Sequence, residues 1–240
     1  MDAPAPGGNS LLNRVIVAII FIPLIVWLFW TGGYPFFIFL AVITAFGQWE
    51  LFRMFEQHLR FPHRVVGFTA GMLIILSAFF GYMVYITGII VISLVCSCII
   101  EIVSGEVHRL ETIVLSLFAT VYPSCFNVFL VRLSGYRYDE HFSFGRYVLL
   151  YVLLVIWIFD TASYFFGKKF GKHPFFPSVS PKKTLEGFFG GVFCVVILGI
   201  AAAIFAGKPY FYHVFVLTIL TALAGQAGDL AANRGTRVRR

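Results

Sequence analysis

The chain has 240 residues, of which 60% are hydrophobic and only 12% are charged, and its formal net charge is +7. An average soluble domain is about half apolar and about a quarter charged, so too few polar groups are present to cover a water-exposed surface. The composition therefore excludes an ordinary soluble domain, a disordered chain and a nucleic-acid-binding domain. It predicts a polytopic membrane protein whose positive charge serves topology and attraction to lipid headgroups.

Eight apolar segments are candidates for membrane-spanning helices, which need about 20 apolar residues. They predict an all-α fold, a polytopic helix bundle of about eight transmembrane helices, with one membrane domain over residues 1–240 and a polar N-terminal tail at 1–13. Only a weak break, near Gly81–Gly88, separates the third segment from the fourth. The segments are 14–31, 34–52, 65–83, 84–100, 112–131, 147–167, 187–206 and 211–230.

The distribution of Lys and Arg between the loops predicts the orientation, because cytoplasmic loops are enriched in these residues. With the N-terminus inside, fourteen of the eighteen Lys and Arg residues fall in inner segments and four in outer segments. Both termini and the basic loop 168–186 are then cytoplasmic. We therefore expect an integral protein of a bacterial inner membrane whose active face is the cytoplasmic one.

The sixth segment contains a carboxylate, Asp160, near its C-terminal end. A carboxylate within a span costs about 2.5–3.5 kcal/mol on insertion scales, so such residues usually face the bundle interior and have a function. Ser163, Tyr164 and Gly167 share a helical face with Asp160 and extend this polar stripe toward the basic loop. The alternatives are a structural Asp satisfied by a neighbouring Tyr or Lys, or a residue of an ion pathway in a transporter.

The loop after this segment reads G-K-K-F-G-K-H over 167–173 and is not a P-loop, because its glycine spacing differs and no Ser or Thr follows the lysine. Lys168 and Lys172 are candidates for phosphate binding or for anchoring at lipid headgroups. Four-residue spacing pairs Gly187 with Gly191 and Gly67 with Gly71, and we expect these pairs to let helices approach closely.

The segment Ser180–Gly187 reads S-P-K-K-T-L-E-G and predicts a helix start, with Ser180 as N-cap and Pro181 at the first helical position. Lys182, Lys183 and Thr184 would then occupy the first turn, where helix amides favour a bound anion such as a polyphosphate. Glu186 would lie one turn after Lys182 and could pair with it or hold a metal.

The last segment ends G-Q-A-G-D-L over 225–230, where small residues around Asp229 leave room for an ion or a phosphate. We expect Asp160, the turn at 182–186 and Asp229 to meet at one face of the bundle. Carboxylates and lysines together at a membrane surface indicate metal-assisted phosphoryl or nucleotidyl transfer on a lipid.

These motifs, D-T-A-S-Y-F-F-G-K-K-F-G-K-H at 160–173, S-P-K-K-T-L-E-G at 180–187 and G-Q-A-G-D-L at 225–230, together resemble those of the phosphatidate cytidylyltransferases, or CDP-diacylglycerol synthases. The resemblance covers residues 160–230 and implies a membrane enzyme that makes CDP-diacylglycerol and pyrophosphate from CTP and phosphatidate, using Mg²⁺. It implies that Asp229 is the metal-binding aspartate, and we expect catalytic roles for Asp160, Lys183 and Asp229. The substrate-binding residues expected are Lys168, Lys172, Ser180, Lys182, Lys183, Thr184 and Glu186.

The resemblance ends at Leu230. Residues 231–240 form a basic tail that lacks the second metal-binding aspartate and the Lys-Arg pair of the family's C-terminal signature. We therefore expect truncation or a changed reading frame, and little or no synthase activity. A CTP-dependent lipid kinase, a non-catalytic membrane fragment and a transporter remain as alternatives, and a homodimer is left open.

Overall fold

The computed structural model describes residues 8–56, 63–104, 109–136, 144–176, 180–208 and 210–237; it leaves out the side chains of 8–18, 109, 181–182 and 231–237. Eight α-helices and one pair of short strands account for nearly all of this part of the chain, which confirms the predicted all-α bundle. The elements are α1 (Gly8–Thr31), α2 (Gly33–Glu56), α3 (Arg64–Phe79), α4 (Met83–Ser104), α5 (Arg109–Ser134), α6 (Phe144–Phe170), β1 (Pro174–Phe176), β2 (Ser180–Thr184), α7 (Leu185–Ala206) and α8 (Phe211–Arg237).

Each predicted apolar segment is a helix, and six helices, α2 and α4 to α8, are long and apolar enough to cross a membrane. The third segment is shorter than the predicted 65–83, because α3 ends at Phe79 after 16 residues, or about 24 Å. Gly81 causes this early end by adopting a φ of +85°, a left-handed conformation that suits glycine. The predicted break between the third and fourth segments is therefore confirmed at this turn.

Two compact units divide the chain, residues 1–149 and 150–240, and each is described by itself. In the first unit, α3 packs against both α2 and α5. A Cβ atom on Gly71 would lie only 2.7 Å from the Ser124 Oγ, and one on Gly67 only 2.6 Å from the Thr120 Oγ1. The predicted packing role of Gly67 and Gly71 is confirmed, because any side chain there would separate these helices.

The second unit consists of the rest of α6, the two strands, α7 and α8. Val155, Phe159, Val195 and Ala222 form its buried apolar cluster. A Cβ atom on Gly187 would lie 2.7 Å from the backbone oxygen of Ser163, and one on Gly191 would lie 3.1 Å from that of Phe159. Gly187 and Gly191 therefore let α7 approach α6 closely, as predicted. This close approach brings the polar end of α6 against the start of α7.

The strands β1 and β2 are antiparallel, with Pro174 opposite Thr184 and Phe176 opposite Ser180. The Leu185 amide donates to the His173 carbonyl at 2.9 Å and continues the pairing to the first residue of α7. The strand pair therefore fixes the basic segment between α6 and α7 against both helices.

Candidate functional site

A cavity of about 480 Å³ lies in the second unit, where α6, the strand pair, α7 and α8 meet. The polar side chains of its wall come from α6, β2 and α8, and β1 and α7 contribute aromatic rings, so the cavity collects residues that are far apart in the sequence. Its lining residues are Asp160, Ser163, Tyr164, Gly167, Lys168, Phe175, Ser180, Lys183, Thr184, Gly187, Phe188, Gln226 and Asp229. The sequence analysis expects Asp160, the segment 182–186 and Asp229 to meet at one face of the bundle. In the structure, Asp160 and Asp229 line this cavity together with Lys183 and Thr184 of that segment.

Lys183 is the central cation of this cavity. Its Nζ forms an ion pair with the Asp229 carboxylate and donates a hydrogen bond to the Gln226 Oε1 at 3.2 Å. The Lys183 side chain is 26% exposed and that of Asp229 is 50% exposed, so the pair is open to solvent on one side. Asp160 lines the same cavity, so its wall contains two carboxylates and the ammonium group of Lys183.

The helix start predicted at Ser180 is wrong. Residues Ser180–Thr184 form β2, and α7 begins at Leu185 with Thr184 as its N-cap, whose Oγ1 accepts a hydrogen bond from the Gly187 amide at 3.2 Å. Pairing with β1 extends the segment that the Ser180–Pro181 signal assigned to a first helical turn. Lys182 and Lys183 are therefore strand residues, and their charges do not oppose the dipole of α7 from within its first turn.

Glu186 does not line the cavity, and its carboxylate instead binds the backbone that follows α6. Its carboxylate accepts hydrogen bonds from the backbone amides of Lys172 at 3.0 Å and His173 at 3.2 Å. The His173 Nδ1 lies 2.7 Å from the same carboxylate. Both oxygens of Glu186 are thus engaged by this turn, so Glu186 anchors α7 to the segment that follows α6.

The predicted substrate-binding residues divide into three groups. Lys168, Ser180, Lys183 and Thr184 lie in the cavity wall. The Lys172 and Glu186 side chains are outside the wall, although Glu186 binds the Lys172 amide. The Lys182 side chain lies outside the described side chains. The sequence analysis also missed Phe175 and Phe188, whose rings stack with centroids 4.8 Å apart and form an apolar wall.

The oxygen atoms in the cavity fit a hard cation such as Mg²⁺. Mg²⁺ is usually held by one or two carboxylates together with substrate phosphates and waters, and Asp160 and Asp229 supply two carboxylates. The Ser163 Oγ is buried and has no hydrogen-bond partner in the described part of the chain, so a further oxygen is available. Among the described residues no group of three or more His, Cys, Asp and Glu side chains could hold a metal, so substrate oxygens would have to complete the coordination.

A second set of buried polar residues, which the sequence analysis missed, lies in the first unit. The Gln48 amide donates to the Gly67 carbonyl at 3.2 Å, and the Asn127 amide donates to the Thr44 Oγ1 at 2.9 Å. The His63 Nε2 lies 3.3 Å from the Glu101 carboxylate, and both side chains are less than a tenth exposed. The signal was visible in the sequence, because Glu101 is the one charged residue of helix α4, Met83–Ser104.

Together, the fold and the cavity define a helical membrane protein with a cavity lined by lysines and carboxylates. A comparison with family models gives the particular family: the model of the cytidylyltransferase family matches residues 12–234, so the chain belongs to this family. The match extends well beyond the motifs of residues 160–230 and includes both compact units. The resemblance identified from those motifs is thereby confirmed.

Curated relatives from staphylococci are named as phosphatidate cytidylyltransferases. The phosphatidate cytidylyltransferase of Staphylococcus aureus (strain COL) is 43% identical over 91 residues, which are 37% of this chain and 34% of that protein. The phosphatidate cytidylyltransferase of Staphylococcus saprophyticus is 38% identical over 96 residues, 40% of this chain and 36% of that protein. The matched segment thus spans about a third of the length of these relatives.

Proposed function

We propose that the chain transfers the cytidylyl group of CTP to phosphatidate and so forms CDP-diacylglycerol and pyrophosphate. The observation that carries this proposal is the single cavity that holds Lys183 and Lys168 beside Asp160 and Asp229. Membership of the cytidylyltransferase family and the names of the staphylococcal relatives support CTP and phosphatidate as the substrates. A volume of about 480 Å³ is within the usual range of small-molecule sites.

The chemistry needs no nucleophile from the protein. A phosphate oxygen of phosphatidate attacks the α-phosphorus of CTP, the bond to the β-phosphate oxygen breaks, and pyrophosphate leaves. Lys183 and Lys168 would neutralise the negative charge that gathers on the phosphate oxygens, which is the main task in phosphoryl-transfer reactions. The stacked rings of Phe175 and Phe188 offer an aromatic surface for the base of the nucleotide.

Asp160 and Asp229 are the residues that would hold Mg²⁺. Bound there, the cation would supply charge neutralisation for the phosphate groups. Asp229 also pairs with Lys183, and phosphate oxygens can take its place on the lysine when the nucleotide enters. We therefore propose that the ion pair keeps Lys183 oriented into the cavity until the nucleotide binds.

An assay with purified chain in detergent, labelled CTP, phosphatidate and MgCl₂ tests the proposal. We expect saturable CTP binding that Mg²⁺ strengthens, and a lipid product that carries cytidine. CTP binding without a lipid product would instead support the expectation, drawn from residues 231–240, of little or no synthase activity. A phosphorylated lipid without cytidine would instead support the CTP-dependent lipid kinase. Failure to bind CTP, with no lipid product, would contradict both enzyme functions. Light scattering on the same detergent preparation tests the homodimer.

Replacing Lys183 with alanine is expected to weaken CTP binding by about tenfold to a hundredfold. The reason is that a charge-assisted hydrogen bond contributes about 1.5–3 kcal/mol, and every 1.4 kcal/mol is a factor of ten in affinity. Titration of CTP against the purified variant measures the effect. The matched control is Lys169→Ala, because Lys169 is an exposed neighbouring lysine outside the cavity wall. Equal CTP affinity of Lys183→Ala and the parent would contradict a role of Lys183 in binding CTP and would support a structural role.

We further propose that the protein lies in a bacterial inner membrane with the loop 168–186 and both termini in the cytoplasm. The basic residues of the inner segments support this orientation. A single cysteine placed at Ser178, in a variant without the four native cysteines, should react with a membrane-impermeant thiol reagent only after the cells are opened. Labelling from outside intact cells would contradict the orientation.

A further inference from the structure

A second cavity, of about 350 Å³, lies in the first unit and shares no residue with the candidate active site. It lies where α1 ends and α2 begins and where α5 ends and α6 begins. Arg132 and Arg146 line it together with Gly33, Phe79 and Tyr136. Among the described lining residues there are two arginines and no carboxylate, so this part of the cavity wall is positively charged.

Arg146 has donor atoms that the described protein groups do not satisfy. Its Nη1 donates to the Trp30 carbonyl at 3.2 Å, while its Nε is buried and has no hydrogen-bond partner among the described atoms. Arg146 is also the third residue of α6, whose first turn contains no acidic residue. A cation at a helix N-terminus opposes the helix dipole, and a bound anion would offset this unfavourable arrangement.

The N-terminus of α2 faces the same cavity. Gly32 and Gly33 have φ values of +61° and +57°, and the space where a Gly33 Cβ would lie is open within 4 Å. The first turn of α2 has no acidic residue either. The amides of a first helical turn have no partner within their helix, so they attract an anion independently of the two arginines.

Exposed aromatic residues surround this end of the unit. Trp30, Tyr34, Tyr82, Tyr136 and Tyr147 lie at the ends of α1 to α6 that border the cavity, and each is at least 45% exposed. Trp and Tyr concentrate at the level of the lipid headgroups, where their polar atoms meet water and their rings meet acyl chains. Such a belt of exposed Trp and Tyr is typical of the headgroup level of a membrane, where lipid phosphates are found.

We propose that this cavity is a second anion site, in which Arg132 and Arg146 bind a phosphate group at the membrane surface. The guanidinium groups match phosphate through parallel hydrogen bonds, and the α2 amides add further donors. The phosphate can belong to an anionic lipid headgroup or to free inorganic phosphate, because both present the same oxygens. The proposal does not depend on the function proposed for the first cavity.

The full chain, purified in a nonionic detergent, is titrated with short-chain phosphatidylglycerol, with short-chain phosphatidylcholine and with inorganic phosphate, and its Tm is followed. We expect phosphatidylglycerol, inorganic phosphate or both to raise the Tm more than phosphatidylcholine does. A rise with phosphatidylglycerol alone identifies a lipid headgroup, and a rise with inorganic phosphate identifies the free anion. A Tm that neither anion changes would overturn the proposal.

The variant Arg132→Gln assigns the binding to this cavity. The structure gives Arg132 no hydrogen bond to a described residue, so its replacement should leave the fold intact. We expect about tenfold or more weaker anion binding in Arg132→Gln, a smaller loss in Arg132→Lys, and no change in the control Lys208→Gln, an exposed cation of the second unit. Anion binding by Arg132→Gln at the parental affinity would place the anion elsewhere and overturn the proposal.

Discussion

Asp229→Asn is expected to lower CDP-diacylglycerol formation by about 10²–10³-fold, the effect typical of removing one preorganised electrostatic group from an active site. The substitution keeps the size of the side chain but removes one of the two carboxylates that we propose to hold Mg²⁺. It also leaves Lys183 without its ion-pair partner. Steady-state turnover and CTP affinity, each measured with and without Mg²⁺, test the prediction.

The two roles of Asp229 give opposite results in the absence of Mg²⁺. If Asp229 restrains Lys183, its removal should leave metal-free CTP binding equal or stronger, while the strengthening of binding by Mg²⁺ disappears. The double variant Lys183→Ala/Asp229→Asn separates the roles. If Asp229 acted only through the ion pair, Asp229→Asn would have no further effect on a chain that already carries Lys183→Ala. Glu111→Gln, an exposed carboxylate on α5, is the matched control. Undiminished stimulation by Mg²⁺ in Asp229→Asn would contradict the proposed metal site.

The helices were predictable from the sequence because the lipid environment imposes a simple rule. Each apolar stretch must satisfy its own backbone hydrogen bonds, and a helix does this within one segment. Hydropathy locates the ends of these helices less accurately than it locates the helices themselves. The end of α3 at Phe79 depends on the left-handed conformation of Gly81, and the sequence alone placed the break only within a range of residues.

The sequence predicted several residues of the candidate site, but it did not predict the backbone conformation of the segment Ser180–Thr184. Ser180 and Pro181 form a common helix-start pattern, yet Thr184 can also cap a helix, and only the pairing of β2 with β1 decides between them. Such pairing joins two separate segments of the chain and leaves no periodic signal in five residues. The same limit hid Phe175, whose contact with Phe188 exists only because the strand pair folds against α7.

The buried polar groups of the first unit show a different limit. Sequence reasoning weighted Asp160 because its flanking sequence is uniformly apolar, and it passed over Glu101 near the end of α4. In the structure Glu101 is 5% exposed and His63 is 9% exposed, and their side chains meet at 3.3 Å. The backbone amide of His63 donates a hydrogen bond to the Ser116 Oγ at 3.1 Å. The pair therefore joins the start of α3 to α4 and α5.

His63→Ala is expected to destabilise the fold by about 3–5 kcal/mol, because it leaves the buried Glu101 carboxylate without its partner. For a chain of this size the loss corresponds to a fall in Tm of about 6–20 °C, measured by thermal unfolding in detergent. The double variant His63→Ala/Glu101→Ala should lose less than the sum of the single variants, since no buried charge remains. The matched control is Arg64→Ala, whose ion-pair partner Glu56 is 37% exposed and which should cost about 1 kcal/mol or less. Equal losses in His63→Ala and Arg64→Ala would show that the buried pair contributes no more than a surface pair.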